Sequence, residues 1–134
     1  MRVRTPLVLL LGLLACVGCG RKKTTEELIT DLKGSGDRER VIAVRTLPQR
    51  RGDAAQVIPA LIEALKSKDS HLRWSAAIGL GSFGEQARDA IPALQAAAQR
   101  DRDARVREAA GVALSRIDPT RFTRPSKARP ARGK

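Results

Sequence analysis

The chain is poor in the residues that usually carry chemistry. It has one histidine, one tryptophan, two phenylalanines and no tyrosine in 134 residues. The lone His71 falls at the start of a predicted helix, where a surface or capping role is the ordinary one. Only two cysteines are present, Cys16 and Cys19, both ahead of the region expected to fold. That excludes a disulfide framework and a cysteine-based metal site for the domain. Their C-x-x-C spacing lacks the flanking sheet-and-helix pattern of a redox motif. Ser75 and Ser82 lie on a predicted helix with no general base beside them. Glu85 and Asp89 are one turn apart and expected to face solvent. Gly79, Gly81 and Gly84 do not follow a strand, so they make no phosphate-binding loop. No segment alternates as a strand does. The expectation is a non-catalytic chain with no metal and no cofactor.

What the chain does have is a repeat. Leu28, Leu61 and Leu94 are 33 residues apart, as are Leu32, Leu65 and Ala98. Arg40, Arg73 and Arg107 are spaced by 33 and then 34, and so are Ala43, Ala76 and Ala110, and Leu47, Leu80 and Leu114. A period of this size predicts a stacked array, and arrays usually present a surface to a partner. Each repeat reads as two helices. In the second, Leu61, Ile62 and Leu65 share a face at helical spacing, with Pro59 expected in the first turn. After the polar stretch 67–70, a second helix from His71 to about Phe83 buries Leu72, Ala76, Leu80 and Phe83, and Gly84 ends it in the left-handed conformation. The third repeat opens on Ile91-Pro92-Ala93-Leu94; its second helix carries Val106, Ala110, Val112, Ala113, Leu114 and Ile117 and stops before Pro119. The first is the weakest match. Thr24 and Glu27 form a predicted capping box, and Asp37 to Thr46 is its second helix, cut short before Pro48. Asp37, Asp69 and Asp103 are expected as helix caps, and the three arginines as partners of loop carbonyls or of a neighbouring Asp along the stack. The small residues Ala43, Ala76, Ala77, Ala109 and Ala110 let paired helices approach closely.

The segments VIPALIEALKSKDSHLRWSAAIGLGSFG and AIPALQAAAQRDRDARVREAAGVALSRI resemble HEAT repeats, of the short type of phycobilisome lyases. The resemblance covers about residues 24–118, in three repeats of about 24–52, 53–84 and 85–118. It implies an all-α fold, an α-solenoid of helix pairs in a right-handed superhelix, and a protein–protein interaction role. A minority of the family are enzymes or enzyme subunits. The His-Glu pairs of HEAT-type metal hydroxylases are missing here, since Leu72 follows His71.

The N-terminus carries a second signal. Arg2 and Arg4 precede an apolar run from Leu7 to Ala15, too short to span a bilayer comfortably. The run ends in Leu13-Leu14-Ala15-Cys16-Val17-Gly18-Cys19, which resembles a bacterial lipoprotein signal with its lipobox. Residues 1–18 are read as that signal, with cleavage and lipid attachment at Cys16, or alternatively at Cys19. Cys16 fits better, having Leu three residues before it and Ala just before it. Several acyl chains on one residue would anchor the chain stably. Residues 19–23 then form a basic linker in which Arg21, Lys22 and Lys23 sit unfavourably for translocation. The expected location is a bacterial cell envelope, on its periplasmic or extracellular face.

Charge is segregated. The whole chain carries +12, yet residues 24–118 hold 15 Lys and Arg against 14 Asp and Glu, and no acid lies elsewhere. Residues 119–134 are read as a disordered basic tail. Arg121, Arg124, Lys127, Arg129, Arg132 and Lys134 either serve solubility or contact a polyanion such as anionic lipid or a cell-wall polymer. Phe122 is the one stacking candidate there, and export argues against nucleic acid.

Trp74 is the residue most open to two readings. Its counterparts, Val41 and Glu108, place it on the exposed side of the second helix, which lines the concave surface in HEAT arrays. The other reading packs it beside Ile78 against the adjacent repeat. A partner groove would use Arg73, Trp74 and Ile78, with Arg107 and Glu108 from the next repeat. Three functions follow: an interaction scaffold lipid-anchored at the envelope, a subunit or remnant of a HEAT-containing lyase or electron-transfer enzyme, or polyanion binding through the tail.

Overall fold

The structure is a computed structural model that describes residues 21–34 and 36–122. Six α-helices follow in order: α1 (Thr25–Gly34), α2 (Asp37–Thr46), α3 (Ala54–Ala64), α4 (Ser70–Ser82), α5 (Ile91–Arg100) and α6 (Ala104–Ile117). Short 3-10 stretches at Leu47–Gln49, Arg51–Asp53 and Gly84–Ala90 join them. There is no strand among the described residues. The fold is an all-α solenoid of three helix pairs.

The repeated positions are the core. Leu28, Leu61, Leu94, Leu47, Leu80 and Leu114 are all buried, and Ala43, Ala76 and Ala110 are fully inaccessible. Within each pair the two helices pack on each other; between pairs, the second helices do most of the packing, with α4 against α2 on one side and α6 on the other. On the first-helix side, α3 meets the Gly84–Ala90 stretch.

Local chemistry explains the boundaries. Thr24 and Glu27 form the expected capping box: the Thr24 backbone N–H donates to Glu27 Oε2 at 2.7 Å, and the Glu27 N–H to Thr24 Oγ1 at 3.2 Å. The bond from the Thr24 backbone N–H is the main reason the Glu27 carboxyl lies below its ordinary range. Asp69 and Asp103 cap α4 and α6, accepting from the backbone N–H of His71 at 2.8 Å and of Arg105 at 2.9 Å. Asp37 does not cap. It is itself the first residue of α2, with Gly36 before it and no side-chain cap. The cause is spacing: Asp69 and Asp103 stand four residues before their repeat arginine, whereas Asp37 stands three before Arg40. It is therefore carried into the helix and pairs with Arg40 instead.

Pro59 also departs from expectation. Because α3 begins at Ala54, Pro59 lies inside it, while its counterpart Pro92 does occupy the first turn of α5. An interior proline removes the N–H that would bond the carbonyl four residues back. Ala55 and Pro59 are both exposed, so solvent can serve that carbonyl. Gly84 has φ of 57°, the left-handed conformation that ends a helix cheaply only with glycine.

Residues 119–122 are not part of a free tail. Thr120 Oγ1 donates to Asp118 at 2.6 Å, the Phe122 N–H donates to the Asp118 carbonyl at 3.0 Å, and Phe122 packs partly buried against the core. At the other end Lys23 donates to Asp31 at 2.5 Å, and Arg50 holds the Lys23 carbonyl at 2.8 Å.

Two glycines test the packing in opposite directions. A Cβ on Gly81 of α4 would sit 2.9 Å from Ala113 Cα, whereas one on Gly111 of α6 would meet nothing within 4 Å. Gly81→Ala should lower the unfolding free energy by about 1–3 kcal/mol, because backbone must move. Gly111→Ala should raise it by about 0.5–1 kcal/mol through helix propensity. Urea titrations followed by circular dichroism measure both, and equal effects would contradict the close approach.

Candidate functional site

A groove runs between α4 and α6. From α4 come Trp74, Ile78 and Gly81, spaced one helical turn apart so that they share a face. From α6 come Arg105, Glu108, Ala109, Val112, Ala113 and Arg116, and together they enclose a cavity of about 300 Å³. Gly81, Ala109 and Ala113 are small and buried and make its floor. Trp74, half-buried and packed on the core, and Val112 make apolar walls. Ile78 is 41 % exposed, an unusual position for a large aliphatic side chain in this fold. Arg105, Glu108 and Arg116 form an exposed charged rim. The chemistry suits an apolar side chain inserted between the helices, with polar neighbours at the edge.

Three of the five residues named from the sequence, Trp74, Ile78 and Glu108, are brought together there. Arg73 and Arg107 are not among the lining residues. Each points back to the loop before its own helix: Arg73 Nη1 donates to the carbonyls of Ser67 at 2.9 Å and Lys68 at 3.0 Å, and Arg107 Nη1 to those of Asp101 at 2.8 Å and Arg102 at 3.3 Å. Sequence reasoning missed Arg105, Val112 and Arg116. The signal was available, since Glu108, Val112 and Arg116 follow at steps of four, the spacing that aligns Trp74 and Ile78.

Arg73 also makes the most deeply buried ion pair among the described residues. Its Nε and Nη2 donate to the two carboxylate oxygens of Asp101 at 2.8 and 2.9 Å. The side chains are 13 % and 8 % exposed. Asp101 accepts a third bond from the Asp103 backbone N–H at 2.9 Å. The Arg73 bonds, and then that N–H, hold the Asp101 carboxyl below the usual carboxylate range. This fork ties the second repeat to the third. Asp103 is held lower still by the Arg105 side chain and its backbone N–H.

None of His71, Ser75, Ser82 and Glu85 lines the groove. His71 is exposed, Ser75 is buried, and Ser82 Oγ donates to the Gly79 carbonyl at 2.7 Å. Glu85 lies 3.8 Å from Arg88 on an exposed stretch. Among the described residues no cluster of His, Cys, Asp and Glu could hold a metal, and no helix is long and apolar enough to cross a membrane. Cys16 and Cys19 lie outside the described residues, as do Arg124, Lys127, Arg129, Arg132 and Lys134. Arg121 is described and sits 5.4 Å from the Phe122 ring centroid.

A family model described as HEAT repeats matches residues 25–115. Among solved structures, a chain in the complex of CpcE and CpcF of phycocyanin lyase from Nostoc sp. PCC7120 is 30 % identical, with a TM-score of 0.65. The match covers 75 % of this chain but 40 % of that one, so this chain spans less than half the length of its neighbour. No curated protein matches.

The Arg73–Asp101 fork has a pH signature. The native carboxyl is depressed from its ordinary value of 3.8, so its contribution is complete above that value and is lost as pH falls through the lower native one. Asp101→Asn should cost about 3 kcal/mol at pH 7 by stranding the guanidinium. It should also lose less further stability than wild type between about pH 5 and pH 2. Urea midpoints at the two pH values measure this; an acid loss as large as wild type's would place the titration elsewhere.

Proposed function

We propose that this chain, which belongs to the HEAT-repeat family, is a non-catalytic interaction module that holds a segment of a partner protein in the groove between α4 and α6. The observation that carries this reading is Ile78, exposed beside half-buried Trp74 over a floor of glycine and alanine. A partner offering an aromatic or aliphatic anchor with an acidic flank suits the apolar walls and the two rim arginines. The structural neighbour, a chain in a complex of two proteins, supports a protein partner.

The proposed place of action is a bacterial envelope, with the chain held by lipid on Cys16. The lipobox-like run before that residue supports this. The neighbour's complex is that of a lyase, which supports a second reading: a subunit that works with a catalytic partner. A pigment or cofactor held by such a subunit would appear as visible absorption of the purified protein.

Two experiments address this. Ile78→Glu should abolish co-purification of the partner from envelope extracts, while Ile42→Glu, equally open at 50 % exposure but outside the groove, should retain it. The purified partner should then shift the emission of Trp74, the chain's single tryptophan. Retention by Ile78→Glu would remove the groove from consideration. For the anchor, intact mass and membrane fractionation of wild type, Cys16→Ser and Cys19→Ser are compared. Loss of lipid mass and release from the membrane are expected for Cys16→Ser alone, and an unlipidated wild type would end the lipoprotein reading.

A further inference from the structure

The repeat arginine occurs three times, and its surroundings differ each time. Arg73 is saturated by two loop carbonyls and Asp101. Arg107, in the last repeat, keeps the carbonyl bonds to its own loop. Arg40 donates from Nη2 to Asp37, but its Nε is buried and has no hydrogen-bond partner among the described residues. A desolvated N–H on a charged group is costly to leave unpaired, so it marks a place where an acceptor is wanted.

The missing acceptor can be named from the next junction. Asp101 lies two residues before the capping Asp103 and accepts its backbone N–H at 2.9 Å; Ser67 lies two residues before the capping Asp69 and accepts its backbone N–H at 3.2 Å. Ser67 is thus the counterpart of Asp101, with a shorter, uncharged side chain. Where the third repeat sends a carboxylate to the arginine of the second, the second has at the matching position only a hydroxymethyl group. Arg40 and Ser67 both line a cavity of about 420 Å³, with Leu72 as an apolar wall. Lys33, Lys66 and Glu63 also line it, and Glu63 is engaged by Lys66 at 2.7 Å. Lys66 is thus paired with Glu63 and Arg40 with Asp37, which leaves Lys33 as the lining cation outside these two ion pairs.

We propose that this cavity is a carboxylate-binding site, in which an acidic side chain of a partner polypeptide takes on Arg40 the place that Asp101 takes on Arg73. The donors suffice. Nε offers one N–H and Nη2 two, so Asp37 keeps one Nη2 bond while the incoming carboxylate accepts the fork from Nε and the other. Lys33 adds charge that attracts an acid and repels a base. A polypeptide acid is the occupant because the molecule already shows the arrangement with an aspartate borne on a loop. The site lies at the junction of the first and second repeats and stands independently of the groove between the second and third.

The test uses ¹⁵N-labelled full-length protein and the side-chain Nε–H resonance of Arg40 at pH 7. Acetate is exchanged for chloride at constant ionic strength. Separately, a blocked glycine pentapeptide with one central aspartate is titrated beside its asparagine twin. Arg40 Nε–H should move saturably with acetate and at lower concentration with the aspartate peptide, and not with the asparagine peptide. Ser67→Asp should supply the carboxylate internally: its Tm should rise by several degrees and its response to acetate and peptide should vanish. Ser67→Asn, similar in size and uncharged, should keep the response. An Arg40 resonance that ignores acetate, or a Ser67→Asp variant that still answers it, would overturn the site. A response to acetate without one to the aspartate peptide would overturn the polypeptide source in favour of a small free acid.

Discussion

The rest of the architecture depends on how closely α4 can approach its two neighbours. On one side Gly79 leaves room for the Pro48 ring, which a Cβ would meet at 2.7 Å; on the other Gly81 lets Ala113 come so near that a Cβ would lie 2.9 Å from its Cα. A solenoid repeat buries its face only against the next repeat, so the separation of successive second helices determines how much of the leucine core is covered. Because α4 is short of side chains at these two points, α2, α4 and α6 close up on one side of the stack, while the Gly84–Ala90 stretch fills the other. The groove follows from the same constraint. Its floor is low because glycine and alanine are what permit the approach, and Trp74 and Ile78 then stand above it as walls.

Polar links follow the packing and reinforce it unevenly. At the second junction the Arg73–Asp101 fork is nearly sealed from water, so its geometry is worth having but its loss strands a charge. At the first junction the links are single bonds: Thr25 Oγ1 donates to the Asp53 carboxylate, and Arg51 Nη1 donates to the Ser82 carbonyl at 2.8 Å. The stack is therefore tied more firmly between its second and third repeats than between its first and second. The groove lies at the firmer junction, where its walls are held in register; the Arg40 cavity lies at the looser one, where a ligand has room to add the missing contact.

How much was legible in the sequence depended on range. The helix pairs, the capping box at Thr24, the caps at Asp69 and Asp103 and the left-handed Gly84 were readable because each rests on residues within one turn. The Asp37 exception was written in its spacing to Arg40, three residues in place of four. Pro59 was misplaced because the start of α3 depends on the preceding 3-10 stretch, not on the proline. Phe122 was assigned to a tail because composition says nothing of one aromatic folding back on a core. The Arg73–Asp101 pair joins residues 28 apart in the chain, and only the stack brings them together. The lining of the groove could be named for α4 but only in part for α6, since the rotation of one helix against the other is a tertiary quantity.

A repeat array offers one further argument about function. Positions that recur in every repeat, such as Leu28, Leu61 and Leu94 or Ala43, Ala76 and Ala110, answer a demand that every repeat shares, which is burial. A demand made by one ligand at one place cannot produce a recurring residue; it produces a break in the pattern. Trp74, where the other repeats have Val41 and Glu108, is such a break, and its large side chain is only half covered by the fold that carries it. Ser67 in place of the aspartate at 101 is another, and it leaves a buried donor that the fold itself does not satisfy. Each break leaves something uncompensated: one exposes part of a large apolar side chain and the other costs a hydrogen bond. Both are explained if the compensating contact comes from outside the chain, an apolar anchor at the first and a carboxylate at the second.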